Sequence, residues 1–355
     1  MSDVSLINRL ARPELLTMTP YQSARRIGGS GDIWLNANES PFANNEPAYN
    51  RYPEFQPAQL IENYARYSKL DNSQILASRG ADEAIELLIR TFCVPGKDSI
   101  TICTPTYGMY AISAATCNVA VNEVPLTPNW QLESNLTAKL KDSSLLFICN
   151  PNNPTGSTIT PEDIEQIIEA TSEQCIVVVD EAYIEFSAQL TCASLINQYN
   201  NVVVLRTLSK AFGLAGLRCG FMLANQHIIN LAKKVIAPYP ISAPVGDIAA
   251  QALTVDGIAQ MRQQVSELNQ LAQQFANDIS PLQGVEEVYH SGGNFVLVRF
   301  NNDNWFSELG RAGIVVRNQS QVPTLERCLR FSIGSGEEMK KLTAALISIA
   351  KQTAA

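Results

Sequence analysis

From Leu60 to about Pro238, short apolar runs rich in β-branched residues alternate with stretches of helical periodicity, and no other feature narrows the fold as far. The runs are QILAS (74–78), SITIC (99–103), LLFIC (145–149), CIVVVD (175–180) and NVVVLR (201–206). Between them, ADEAIELLIRTF (81–92) and PEDIEQIIEATS (161–172) carry apolar residues at helical spacing, with Thr160 placed to cap the second and Pro161 at its first position. Strands apolar on both faces, separated by amphipathic helices, specify an α/β fold with a largely parallel sheet. A proline-rich break, APYPISAPV (237–245), ends the alternation. Beyond it the spacing predicts one long helix over Gly246–Ala276, strands NFVLVRF, GIVVR and CLRFSIG, and helices NWFSELGRAG and EEMKKLTAALISIAK. The expected division is an N-terminal arm over 1–50 that completes part of a smaller unit, a large domain over 51–240, and a smaller α+β domain over 241–355.

Of the 355 residues, 46% are hydrophobic and 17% charged, enough apolar material for a sizeable core. The net charge of −8 argues against nucleic acid or anionic membrane as partners, while leaving room for a local arginine cluster that binds small anions. None of the eight cysteines forms a CxxC pair, and several sit in apolar runs, so packed, reduced thiols of a cytoplasmic protein are expected rather than disulfides or a metal site. The opening MSDVSLINRLARPEL lacks a continuous apolar core, so no signal peptide is expected, and no stretch has the length of a membrane helix.

Four strand ends carry the chemistry. CIVVVDEAYIEF closes a strand on Asp180, with Tyr183 three residues on. The acid either caps the next turn or faces a ligand beyond the sheet edge. NVVVLRTLSKAFGLAGLRCGF closes another and places Ser209 and Lys210 in a small-residue loop, with Arg218 following. Burial there would favour the neutral, nucleophilic amine. LLFICNPNNPTG leads into a turn-rich loop with Asn152 and Asn153. QILASRGADEA leads through Gly80 into a helix whose first amides, at Ala81 and Asp82, form a ready cradle for phosphate; inward-pointing Asp82 or Glu83 would oppose it. Lysine, carboxylate, neutral polar pair and phosphate cradle together are the set that pyridoxal 5′-phosphate (PLP) requires.

On these residues, and on PYQSARR, NRYPE, PTYGMY, KVIAPYPIS and CLRFSIG, the chain resembles the fold-type I PLP enzymes of the class II aminotransferase group, most narrowly the histidinol-phosphate aminotransferases. The resemblance implies a mostly parallel seven-stranded-type sheet between helices plus a smaller α+β domain. It implies that Lys210 holds PLP as a Schiff base and moves the proton, that Asp180 pairs with the ring nitrogen, and that Asn153 and Tyr183 bond to the ring hydroxyl. It places Tyr107 on the ring and Ser209, Arg218 and the Ala81 and Asp82 amides on the phosphate. It implies that Tyr52 reaches the partner subunit's cofactor in a homodimer with shared sites, that Arg330 grips the substrate's anionic group, and that Tyr21 covers the substrate, with Arg317 either a second anion contact or a solvated strand-end arginine. The implied reaction converts L-histidinol phosphate and 2-oxoglutarate to imidazole-acetol phosphate and L-glutamate, in histidine biosynthesis. The alternatives are an aromatic amino acid aminotransferase or a PLP-dependent phosphate-ester amino acid decarboxylase. A DNA-binding regulator on the same scaffold would need a basic segment, which the residues before Tyr21 do not supply. His227 and His290 fall outside every motif and are expected to be structural or surface residues.

Overall fold

The computed structural model describes residues 3–24, 32–44 and 46–353. Arg25 and Arg26 of PYQSARR and most of the glycine-rich GGSGD stretch lie outside the described residues. In chain order the large sheet is built from β1 (Ile75–Ser78), β2 (Ser99–Thr104), β3 (Ala120–Pro125), β4 (Ser143–Cys149), β5 (Ile176–Asp180), β6 (Val202–Thr207) and β7 (Gly220–Ala224). The spatial order is β1-β7-β6-β5-β4-β2-β3. The pairs β5–β6, β4–β5, β2–β4 and β2–β3 are parallel, whereas β7 runs antiparallel to both β1 and β6.

The period-2 geometry of the strands sorts their side chains into two cores. Leu146, Val177, Val179, Val204 and Phe221 face one way, under Leu60 and Tyr64 of helix Ala58–Ser68, Ile164 and Ile168 of helix Pro161–Ala170, and Ala249 of helix Ala243–Ala252. Phe147, Ile176, Val178, Val203, Leu205 and Met222 face the other, under helices Ala81–Phe92 and Gln226–Val235. Thr160 caps its helix as expected, accepting from the Asp163 amide at 3.2 Å, with Pro161 at the first position. Ile7, Ala11 and Leu15 also join this second core, so the N-terminal helices Asp3–Leu10 and Pro13–Thr17 pack on the large sheet's helices rather than completing the smaller unit. Seven of the eight cysteines are buried.

The second sheet comprises β8 (Val285–Val288), β9 (Phe295–Phe300), β10 (Arg317–Asn318) and β11 (Cys328–Ser332), all antiparallel in the order β10-β11-β9-β8. It has its own core, in which Val296, Val298, Phe300, Leu329 and Phe331 meet Phe275, Trp305 and Leu346 from three helices. A small cluster bridges the two sheets: Tyr183, Phe186 and Ala211 from the large one touch Phe295, Met261 and Val265.

Two expectations are corrected. The single helix over Gly246–Ala276 is two, Ala243–Ala252 and Val255–Ile279, because Thr254 takes an extended backbone (φ −71°, ψ 167°) and its hydroxyl caps the Gly257 amide at 3.3 Å. The strand GIVVR shrinks to Arg317–Asn318, because the ladder on β11 begins only where Arg317 meets Arg330. Gly313 ahead of it takes a positive φ of 76°. No helix among the described residues is long and apolar enough to cross a membrane.

Because β7 reverses direction, its first residue, Gly220, lies at the carboxyl end of β1, paired with Ser78. A Cβ on Gly220 would fall 2.5 Å from the Gly80 carbonyl carbon and 2.6 Å from the Ala81 nitrogen. Gly220→Ala is therefore expected to destabilise the protein by about 1–3 kcal/mol through backbone overpacking. A lowered urea midpoint with unchanged slope checks this, and an unshifted midpoint would show that the junction can give way.

Candidate active site

Parallel strands deliver their carboxyl ends to one edge, and the reversed β7 delivers its amino end to the same edge. Asp180, Thr207 and the segments that follow β1 and β4 therefore converge with Arg218, two residues ahead of β7. They surround a cavity of about 610 Å³. Of the residues expected in the site, Tyr21 and Tyr52 do not line it, nor does Asn152, whose side-chain amide instead donates to the Pro105 carbonyl at 2.9 Å and the Thr155 hydroxyl at 2.8 Å. Tyr21 is 69% exposed, and Tyr52 is stacked on Tyr239 at 4.4 Å between ring centroids.

Asp180 is 2% exposed. Its Oδ1 accepts the Ala182 amide at 3.1 Å and its Oδ2 accepts the Tyr110 hydroxyl at 2.7 Å. It thus caps the following turn, as one sequence reading expected, and also lines the cavity. Burial pushes its pKa up from 3.8 to about 6, the two hydrogen bonds opposing that rise. Burial, and then the positive charge of Arg330, lower the pKa of Lys210, while Asp82 and Asp180 oppose the change. A buried acid and a depressed amine in one cleft are marks of a chemical site.

The helix Ala81–Phe92 starts at Gly80 with no side-chain cap, so its first amides have no side-chain acceptor. Arg218, itself in the left-handed region at φ 54°, donates to the Ser209 hydroxyl at 3.3 Å and the Ala215 carbonyl at 3.1 Å. Gly80 and Gly220 carry no Cβ where the arginine and backbone press closest. Glu83 turns away and pairs with Arg79, but Asp82 turns toward the cavity, accepting from Tyr107 at 3.0 Å and Arg218 at 3.2 Å. Free amides, a hydroxyl and a guanidinium around a close backbone approach fit a phosphate monoester. With Lys210 and Asp180 beside them, the donor set fits PLP.

Asn153 links the two sheets. Its amide donates to the Tyr183 hydroxyl at 3.4 Å, and its carbonyl accepts from Arg330. The Arg330 guanidinium lies 5.3 Å from the Phe295 ring centroid. Arg317 sits directly opposite Arg330 across the β10–β11 ladder. Like charges so placed are unfavourable until an anion lies between them. Arg317 is exposed and also lines the cavity. His227 pairs with Asn8 at 2.8 Å; neither it nor exposed His290 lines the cavity.

Sequence reasoning did not find Tyr110 or Thr207. Thr207 donates to the Ser209 hydroxyl at 2.9 Å and accepts the Ser209 amide at 3.1 Å, fixing the start of the lysine loop. Tyr110 was legible only as a second aromatic, three residues beyond Tyr107 in PTYGMY.

Residues 29–346 match the model of the class I and II aminotransferases. The chain is 50% identical over 346 residues to a histidinol-phosphate aminotransferase of Citrobacter koseri, covering 96% of each. In fold it resembles a histidinol-phosphate aminotransferase of Clostridium acetobutylicum, with a TM-score of 0.79 and 24% identity over 86% of this chain and 92% of the other. It likewise resembles the enzyme of that name from Sinorhizobium meliloti solved with pyridoxal-5′-phosphate, with a TM-score of 0.79 and 23% identity over 89% and 90%.

The raised pKa of Asp180 makes a stability prediction. Between pH 3.8 and about 6 the folded, cofactor-free chain binds this proton more tightly than the unfolded chain, so stability falls as pH rises through that window. Asp180→Asn should abolish this loss, worth about 3 kcal/mol. Urea denaturation of the cofactor-free protein at pH 4 and pH 8 measures it; equal pH dependence in both proteins would count against the buried, ionised carboxylate.

Proposed function

The chain belongs to the class I and II aminotransferases, and we propose that it transfers the amino group of L-histidinol phosphate to 2-oxoglutarate, giving imidazole-acetol phosphate and L-glutamate in histidine biosynthesis, with PLP as cofactor. The observation that carries this reading is the meeting of Lys210, Asp180 and the facing pair Arg317 and Arg330 in one cavity. Near-full-length relatives named for that activity favour it over an aromatic aminotransferase or a phosphate-ester decarboxylase.

PLP, when bound, supplies an electron sink for the charge left at Cα once its proton is removed. The remaining work falls to the protein. Asp180 would face the ring nitrogen and keep a proton on it. Lys210, its pKa lowered by burial, would hold the cofactor through its Nζ and, when its amine is free, would accept the proton from Cα of the amino donor and deliver it to the cofactor's aldehyde carbon. Asn153 and Tyr183 hold the ring hydroxyl, Tyr107 supports the ring, and Ser209, Arg218 and the amides of Ala81 and Asp82 hold its phosphate. Arg330, with Arg317, takes the anionic end of either substrate, a phosphate monoester or a dicarboxylate. Tyr21 covers the substrate from the N-terminal side.

The same proposal makes the enzyme a cytoplasmic homodimer, with a large cofactor-binding unit over 51–240 and a smaller unit over 241–355. Ile33, Leu35 and Phe42 are 83%, 87% and 75% exposed within one short segment, an apolar strip of the kind that partners cover. The Tyr52 amide is tied to Glu39 of that segment at 2.7 Å, and Tyr52 does not line its own subunit's cavity, which supports a role across the interface.

Adding L-histidinol phosphate to the PLP-loaded protein is expected to abolish the cofactor's visible absorbance, and 2-oxoglutarate to restore it. A response to phenylalanine alone would replace the substrate. Lys210→Ala should bind PLP without a covalent link and lose turnover. Arg330→Ala should raise KM for both substrates about tenfold or more; an effect on one alone would end the shared-arginine reading. Tyr52→Ala should release PLP more readily, and mixing it with Lys210→Ala should restore about a quarter of wild-type sites through hybrid dimers. No recovery on mixing would place Tyr52 outside the partner's site.

A further inference from the structure

Tyr110 is fully buried on helix Met109–Thr116, its ring stacked on Phe147 at 4.8 Å and 20° and met edge-on by Tyr107 at 5.7 Å. A phenol so enclosed by apolar rings needs a partner for its hydroxyl. It has one, Asp180 Oδ2 at 2.7 Å. Among the described residues no other side chain donates to Asp180; its second donor is the backbone amide of Ala182. The remaining titratable groups around the carboxylate are Tyr107, Cys149, Tyr183, Lys210 and the acids Asp82 and Glu181, and both acids oppose its ionisation.

We propose that Tyr110 is a positioning residue for the reaction, its hydroxyl fixing the orientation of the Asp180 carboxylate and keeping it ionised, so that a proton shared with the cofactor stays on the ring nitrogen. The assignment rests on the PLP reading above. A carboxylate that accepts a short hydrogen bond is a weaker base, so it leaves a shared proton on its neighbour. Remove the bond and the carboxylate becomes more basic, the proton moves toward it, and the ring loses power as an electron sink. Tyr110 touches neither substrate nor cofactor in this scheme; it acts through Asp180.

Tyr110→Phe removes one oxygen and keeps both ring contacts, so the fold should survive. In the cofactor-free protein, carbon-13 labelling of aspartate side chains, with Asp180 assigned by its loss in Asp180→Asn, reads the carboxyl directly. Its titration midpoint should rise by about one pH unit or more in Tyr110→Phe. In the loaded enzyme the nitrogen-15 signal of the ring should move toward that of unprotonated pyridine. kcat should fall about tenfold or more while KM changes less than about twofold. An unchanged carboxyl midpoint, or an unchanged ring signal with unchanged kcat, would overturn the proposal and leave Tyr110 a packing residue. Because the carboxyl titration needs no cofactor, it decides the role of Tyr110 toward Asp180 even if wild-type protein failed to bind PLP, an outcome that would remove the functional reading instead.

Discussion

The site is organised around a carboxylate buried at the end of a central strand. Asp180 has β4 and β6 on either side of its strand and is almost wholly shielded from water. An isolated charge there is costly, and the protein only partly relieves it with the Ala182 amide and the Tyr110 hydroxyl. A cation facing it would meet the balance. Burial and Arg330 lower the pKa of the neighbouring Lys210, which makes it a poorer counter-ion for the acid and a readier nucleophile. One acid that needs a cation and one amine that resists being one define what kind of molecule completes the cavity.

Keeping these two groups in register falls to another buried cluster. Arg206, at the end of β6, donates to Glu181 at 2.6 Å, to Glu185 at 3.3 Å and to Thr191 at 2.9 Å. Glu181 follows Asp180, Glu185 lies two residues past Tyr183, and Arg206 precedes the Thr207–Lys210 loop by one. Buried ion pairs of this kind do little for net stability, but they are strongly directional. Here they join the strand that ends in the acid to the strand that leads to the amine. Tyr67 extends the cluster, its hydroxyl on Glu185 at 3.2 Å and its ring edge-on to Phe212 of the lysine loop.

What could be read from the sequence followed the strength of the local signal. The central stretches of β4, β5 and β6 are continuous apolar runs because both of their faces are covered, and β2 alternates Ile with buried Thr101 and Cys103, so all four were recognisable as buried strands. β7 was not, since GFMLA lies within a string whose glycines and arginine read as loop chemistry. β3 pairs only with β2, at the edge of the sheet, and mixes Asn122 and Glu123 into its run, so its apolar signal was too weak to register. Lys210, Asp180 and Asn153 stood at strand ends, where the topology alone makes a residue available to a ligand. Tyr110 did not: it lies in the core, and only a long-range contact to residue 180 separates it from a packing aromatic.

Charge distribution explains how an acidic chain can accept two anionic substrates. The chain carries a net charge of −8, yet the cavity gathers Arg218 from the large sheet's edge and Arg317 and Arg330 from the small sheet. Within a cleft, local charges outweigh a distant, solvent-screened excess of opposite sign. The arrangement also ties binding to chemistry. Arg330 and Arg218 both depress Lys210, so each anion that settles on one of them offsets a charge that had disfavoured protonation of the amine. Lys210 is thus least basic while these arginines are unpaired, and becomes more basic as anions settle on them.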